Sequence, residues 1–281
     1  MINVPAKPLL TAKSPPSGSE WIHELKYDGY RMRAYKVGKC VYLISREGLD
    51  WSKKFPAIVK ELSSIKESFF VDGEIVVFDR EGKPDFESLQ ANARSGKADA
   101  HFMVFDLLKL RRRSFLSTPL LQRKNHLKQF LSECNLKRVK YVEHFDGDDG
   151  EALLKLASKY NLEGIVSKKV DSFYDSVRNN KWLKIKLRSR AKAFISGVKV
   201  DSDGKIEHAI VALDGRVIAR AEFGLSSEVR KKLYRRIPRN NSSQKNGEVI
   251  LFRELVTAEI SFLEITKSGM LREAAVISVE G

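Results

Sequence analysis

The chain has 281 residues, 42% apolar and 31% charged, the composition of a globular protein with room for one large domain or two ordinary ones. No apolar run approaches the roughly eighteen residues of a membrane span, and "MINVPAKPLL" holds no signal-peptide core, so a cytoplasmic protein with no membrane partner is expected. The net charge of +15 calls for a polyanionic partner, usually nucleic acid, while two cysteines without a Cys-x-x-Cys spacing argue against a disulfide framework or a structural zinc.

In chain order, the Pro/Ser-rich "PAKPLLTAKSPPSGSE" reads as an extended lead-in. "WIHELK", "GYRMRAYKV" and "KCVYLIS" predict three short strands that turn at Asp28-Gly29 and Gly38-Lys39. Phe55, Ile58, Val59, Leu62 and Ile65 recur at helical spacing, with Pro56 suited to the first turn. "FFVDGEIVVFD" and "HFMVFDLL" are apolar strands that carry acids. "STPLLQRKNHLKQFL" predicts a helix with Thr118 as cap and Pro119 at its first position. A strand "VKYVEHF", a helix around "GEALLKLASKY" and the strands "LEGIVSKK" and "WLKIKL" follow.

After "RSRAK" the pattern changes to short alternating strands, "AFISGVKV", "HAIVAL" and "RVIARAEFG", with Asp214-Gly215 as a hairpin turn. A basic helix "SEVRKKLYRRI", a polar loop and the strands "LVTAEISFLEIT" and "AAVISV" complete a segment that fits a small five-stranded barrel. The boundary is expected near Leu187 to Arg190.

One stretch, "ELKYDGYR", places Lys26 between Glu24 and Asp28. It reads either as a strand entering a turn or as a nucleophile in a phosphate-binding cleft. Charges inside the apolar strands bear on the choice. Strand alternation puts Lys184 and Lys186 on one face, which a solvated edge explains. It explains Glu74 and Glu163 poorly, because each runs into continuous apolar residues. Buried charges need partners, and two carboxylates with two lysines around one cleft would supply them.

The order Lys-x-Asp-Gly-x-x-Arg, Ser-Arg-x-Gly, Asp-Gly-Glu, Phe-Asp, Glu-Gly-Ile-Val and Lys-x-Lys resembles the covalent nucleotidyltransferase superfamily of ligases and capping enzymes. Within it, "ELKYDGYR", "SREGLDWSKKFP", "VDGEIVVFDREGKPDFESLQ", "VFDLL" and "EGIVSKK" look like ATP-dependent DNA ligases of the bacterial end-joining type, over Pro8 to about Arg272. The resemblance implies an α+β fold. An antiparallel-sheet nucleotidyltransferase (ATP-grasp-like) adenylation domain, residues 1–188, would be followed by a small OB-fold β-barrel that binds DNA, residues 189–281.

It also implies a chemistry: Lys26 attacks the α-phosphate of ATP, AMP passes to the 5′-phosphate of nicked double-stranded DNA, and the 3′-hydroxyl then seals the nick, in DNA repair. An ordinary lysine amine, with pKa about 10.4, is neutral roughly once in a thousand at pH 7, a handicap of about 4 kcal/mol. Cations and a bound metal offset it. On the same resemblance Lys184 and Lys186 hold the α-phosphate, and Glu24 accepts from the adenine amine. Arg31 and Arg46 contact the ribose region and the nick phosphate, Glu74 takes the ribose hydroxyls, and Phe105 stacks on adenine. Glu163, with Glu74, binds Mg²⁺, Mn²⁺ being the alternative.

The basic runs "LRRRSF" and "VRKKLYRRIPR" are candidate phosphate contacts. A minimal two-domain monomer is expected, without the further domains of larger end-joining ligases, hinged near Arg188 to Lys192. After "KSGMLREAA" the family's basic Arg-x-Asp-Lys motif is absent, so slowed self-adenylation is expected. The rival readings are an RNA ligase with the same core motifs and a non-catalytic nick-binding protein.

Overall fold

A computed structural model describes residues 9–175, 177, 179–238 and 249–280. The chain divides into two compact units, Met1–Leu187 and Arg188–Gly281.

In the first unit, β1 (Leu10–Thr11) and β2 (Trp21–Leu25) precede β3 (Tyr30–Val37) and β4 (Cys40–Ser45). Next come α1 (Pro56–Ser64), β5 (Phe69–Val77), α2 (Phe86–Ala93), β6 (Ala100–Leu110) and β7 (Arg113–Ser114). α3 (Leu120–Ser132), β8 (Val139–Tyr141), β9 (Phe145–Asp146), α4 (Gly150–Lys159), β10 (Gly164–Lys169) and β11 (Trp182–Lys186) complete it. One sheet runs β1-β11-β10-β2-β9 and the other β4-β3-β5-β6-β7, with β8 beside β6. Pairing is antiparallel apart from β1 with β11 and β6 with β8.

Helices this short are marginal alone and are held by the sheets they cover. α1, α2 and α3 place Ile58, Leu62, Leu89 and Leu127 against Met32, Leu43, Ile75 and Phe102 on the outer face of the second sheet. α4 places Leu153 and Ala157 against Ile165 and Ile185 on the outer face of the first. Between the inner faces, Ile22, Tyr35, Phe70, Leu108, Tyr174 and Trp182 pack together. Each fully buried side chain of this kind contributes about 1.5–3 kcal/mol.

Two local expectations are corrected and one helix is added. α3 is capped by Pro119, whose ψ of 144° is extended, and Thr118 makes no side-chain cap; its carbonyl instead accepts from Arg123 at 2.6 Å. The predicted strand "VKYVEHF" is two pieces, because the chain crosses there from β6 in one sheet to β2 in the other. α2 was not anticipated, although Asp85 caps it by accepting from the Ser88 amide at 2.9 Å.

The second unit contains β12 (Ser189–Val200), β13 (Ile206–Leu213), β14 (Arg216–Ala221), α5 (Ser227–Tyr234), β15 (Val249–Phe262) and β16 (Ala275–Val279). Its strand order is β14-β13-β12-β15-β16. Asp214 and Gly215, at φ 48° and 74°, form the expected hairpin turn. Ser226 caps α5, accepting from the Val229 amide at 3.2 Å, and Val229 and Leu233 join the core of Ile195, Val211, Val256 and Ile260.

No ladder closes this sheet into a barrel among the described residues. Between its edge strands lie one parallel bridge, Phe223 with Ala275, and the bonds Leu271 N to Ile218 O (2.7 Å) and Val276 N to Phe223 O (3.0 Å). The expected hinge residues Ser189 to Lys192 are paired in β12, so only Leu187 and Arg188 lie outside strands at the boundary. The polar loop expected after α5 falls largely outside the described residues. No described helix is long and apolar enough to cross a membrane.

Candidate active site

Strand register assembles the site. On the first sheet the Lys26 amide bonds Gly164 O at 3.0 Å, and Gly164 faces Lys186 across β11. The next row is Glu24, Val166 and Lys184, and the row beyond it is Ile22, Lys168 and Trp182. Because side chains alternate, these rows share the inner face. Gly164 has φ 139°, and a Cβ there would lie 2.0 Å from Ile185 O, so only glycine fits between the two lysine strands. Gly29, in "KYDG", is similarly constrained: its Cβ would meet Ile75 O at 2.1 Å, where the turn presses on β5.

The second sheet supplies the facing wall. Arg31 on β3 pairs in register with Glu74 on β5, and Phe105 comes from β6. A cleft is lined by residues of both sheets, among them Glu24, Lys26, Arg31, Glu74, Phe105 and Trp182.

Around it, Glu163 accepts from Lys26 Nζ at 2.5 Å and from Lys186 Nζ at 3.0 Å. Glu24 accepts from Lys124 and Lys168, each at 2.5 Å and both buried. Arg31 donates to Asp72 Oδ2 at 2.6 Å, and the Tyr174 hydroxyl donates to the same oxygen at 2.7 Å. The Arg31 guanidinium lies 5.4 Å from the Phe105 ring centroid, and Lys168 Nζ lies 4.3 Å from the Phe105 and Trp182 centroids.

Burial sets the electrostatics. It pushes the Glu74 carboxyl up to about 8, against the pull of Lys26 and Arg31 and helped by Glu163 and Asp72. It pushes Lys168 down to about 8, against the pull of Glu24. Burial would also lower Arg31, but Asp72 outweighs it and the guanidinium is held above its usual range. Tyr174 is raised by burial and by Asp72.

Of the residues expected from sequence, Glu24, Lys26, Arg31, Glu74 and Phe105 line the cleft, and Glu163 and Lys186 join it through Lys26. Lys184 shares the row of Glu24. Arg46 is not brought in: it sits in the turn after β4, its side chain 75% exposed, paired with Glu47 at 3.2 Å. The solvated-edge explanation of Lys186 fails, since its ammonium is tied to Glu163.

Lys168, Lys124, Asp72, Tyr174 and Trp182 were missed. Parity in "EGIVSKK" puts Lys168 on the face of Val166. The helical period in "LLQRKNHL" puts Lys124 on the stripe of Leu120 and Leu127. Those two signals were available; no local pattern marks Asp72 or Tyr174.

No three His, Cys, Asp or Glu side chains converge among the described residues, which excludes an all-protein metal cage there. Glu163 and Glu74 do suit a magnesium-type ion, which takes one or two carboxylates and completes its shell with water and phosphate oxygens.

The sequence profile described as ATP dependent DNA ligase domain matches residues 6–186, over half of the chain. The chain belongs to that family. Among curated relatives of this ATP-dependent DNA ligase domain is the multifunctional non-homologous end joining protein LigD of Pseudomonas aeruginosa. It is 28% identical over 93% of this chain and 34% of its own length. The SPbeta prophage-derived DNA ligase-like protein LigB of Bacillus subtilis is 33% identical over 67% of this chain and 69% of its own. The chain thus spans between a third and a half of the Pseudomonas and Bacillus LigD proteins. A mycobacterial DNA ligase D complexed with ATP and MES superposes with TM-score 0.60 at 24% identity, over 98% of this chain and 95% of that one. A Lig E DNA ligase gives 0.66 at 17%, over 97% and 99%. Both likenesses are of fold.

Proposed function

We propose that this ligase-family chain seals 5′-phosphate/3′-hydroxyl nicks in duplex DNA with ATP, through AMP carried on Lys26, as a step of end-joining repair. The observation that carries the proposal is the contact between Lys26 Nζ and Glu163 Oε2, 2.5 Å apart, where Lys26 enters a cleft that Glu24, Arg31, Glu74, Phe105 and Lys168 also line.

ATP enters with its base between Phe105 and Val166, which stand on the two facing sheets, and Glu24 accepts from the adenine amine. Arg31 and Glu74 take the ribose. Glu163 and Glu74 are the carboxylates that would hold a divalent ion, Mg²⁺ or Mn²⁺, which would supply charge neutralisation at the phosphates. Lys26 passes a proton to Glu163 Oε2 and its nitrogen attacks the α-phosphorus. A P–N bond forms, the bond to pyrophosphate breaks, and Lys184 and Lys186 balance the charge that develops. The nick's 5′-phosphate then takes AMP, the Lys26 nitrogen recovers its proton, and attack by the 3′-hydroxyl on that 5′-phosphate releases AMP.

The first unit is the adenylation domain in this reading. The curved sheet of the second is the OB-fold element, with the basic residues around α5 touching duplex phosphates and Leu187–Arg188 as the hinge. Arg230 and Lys232 donate to backbone carbonyls of Leu225 and Val279, so phosphate contact falls to other members of that run, such as Lys231 and Arg235.

The test is sealing of one labelled nick in duplex DNA. Ligation dependent on ATP and a divalent ion is expected, and Lys26→Ala should abolish both sealing and the covalent label from α-labelled ATP. Sealing by the alanine variant would overturn the assignment. Efficient sealing of nicked RNA but not nicked DNA would replace it.

A further inference from the structure

Lys124 is fully buried on the stripe of α3 that also buries Leu120, Leu127 and Leu131. A cation is a costly occupant of such a stripe unless each of its donors is met. Its ammonium bonds Glu24 Oε1 at 2.5 Å and Val142 O at 3.0 Å and lies 4.6 Å from the Tyr141 ring centroid. Glu24 and Lys168 line the cleft, whereas Lys124 does not. It therefore reaches the carboxylate from behind.

We propose that Lys124 is a positioning residue for base selection: by holding Glu24 Oε1 from outside the cleft, it presents Oε2 to the base as an acceptor and favours a purine edge bearing an amine over one bearing a carbonyl. Lysine has donors only, so two lysines on one carboxylate require both oxygens to act as acceptors. Oε2 already accepts from Lys168 at 2.5 Å, and its second lone pair is the one that meets the base. Adenine offers an amine at that position and satisfies the oxygen. Guanine offers a carbonyl and sets two acceptors against each other. Without Lys124 the carboxylate is free to swing with Lys168, and the acceptor loses its fixed direction. The inference rests on the reading of Glu24 as the residue that meets the base.

Calorimetry on the intact chain, without divalent ion so that no turnover intervenes, gives Kd for ATP and for GTP. Glu24→Gln should reduce the preference for ATP by roughly 10- to 100-fold, the worth of one hydrogen bond to a charged group. Lys124→Met, which never touches nucleotide, should reduce it by about tenfold, chiefly by weakening ATP. The double variant should match Glu24→Gln alone, since Lys124 acts only through that carboxylate. If Lys124→Met weakens both nucleotides equally, or its effect adds in full to that of Glu24→Gln, Lys124 is structural only and the proposal falls. If Glu24→Gln leaves the preference intact, the reading of Glu24 falls and takes this one with it. Lys124→Gln, which keeps a donor but no charge, is read by the same criteria should the methionine variant fail to fold.

Discussion

Two carboxylates in one cleft are each gripped by two lysines, and the two clusters differ in access to water. Glu24 holds Lys124 and Lys168 where the lysine side chains are 0% and 2% exposed. Glu163 holds Lys26 and Lys186 where they are 19% and 16% exposed. A sealed triad is confined to one geometry, because any rearrangement leaves a charge unpaired in a medium of low dielectric. A half-open triad can admit phosphate, exchange a proton and change partner. In the proposed reaction the same combination, one glutamate and two lysines, would serve as a fixed template at one end and as a reactive centre at the other.

The sharpest way to break that contrast is at the open end. Glu163→Gln should lower adenylation of Lys26 by about 10²- to 10⁴-fold, read from label transferred from ATP. It should cost less stability than the loss of Glu24 does, because Lys26 and Lys186 keep access to water when the carboxylate is removed. A large fall in melting temperature instead would erase the distinction between the clusters.

At the sealed end the signs reverse. Glu24→Ala strands two buried ammonium groups and should cost about 3–5 kcal/mol in urea denaturation. A loss under about 1 kcal/mol would show that water reaches Lys124 and Lys168.

Glu74 gives the comparison a pH axis. Its carboxyl is held near 8 in the folded chain against an ordinary 4.5, so between those values the folded state binds the proton that the unfolded state has released. Stability from this group is full below about 4.5 and is lost as pH rises through about 8. Glu74→Gln removes that dependence. The variant should gain up to a few kcal/mol over the parent between pH 5 and pH 8 in parallel denaturant titrations. Equal slopes for the two proteins would contradict the shift.

The smallest effect is expected at Arg46, which is exposed and outside the cleft. Arg46→Ala should alter stability by less than about 0.5 kcal/mol and leave Lys26 labelling unchanged, while slowing nick sealing. Slowed labelling would move Arg46 into the nucleotide site.

Much of the site was legible because its residues sit where local rules are strong. Glu74 and Glu163 stood out as acids inside apolar strands, and parity put Lys184 and Lys186 on one face. Parity did not say which face was solvent, and Lys186 turned out to be tied inward. Lys168 and Lys124 carried the same kind of signal and were passed over, since a basic residue at the end of a strand or in a helix is usually solvated. Asp72 and Tyr174 offered nothing local: their bond spans 102 residues. In the second unit the alternation predicted the strands and the Asp214-Gly215 turn. Whether the sheet closes depends on pairing between its edge strands, which no strand encodes alone.

By itself the sequence determined most of the element types, the order of the motifs and the identity of the lysine between two acids, because those depend on side-chain period and turn chemistry over a few residues. Only the tertiary structure decided which charges meet. Glu24 finds Lys124 and Lys168 at separations of 100 and 144 residues. Burial then made one triad rigid and left the other open. The physical reason is that a strand or helix fixes where its own side chains point, while the charge opposite and the water excluded come from whatever packs against it.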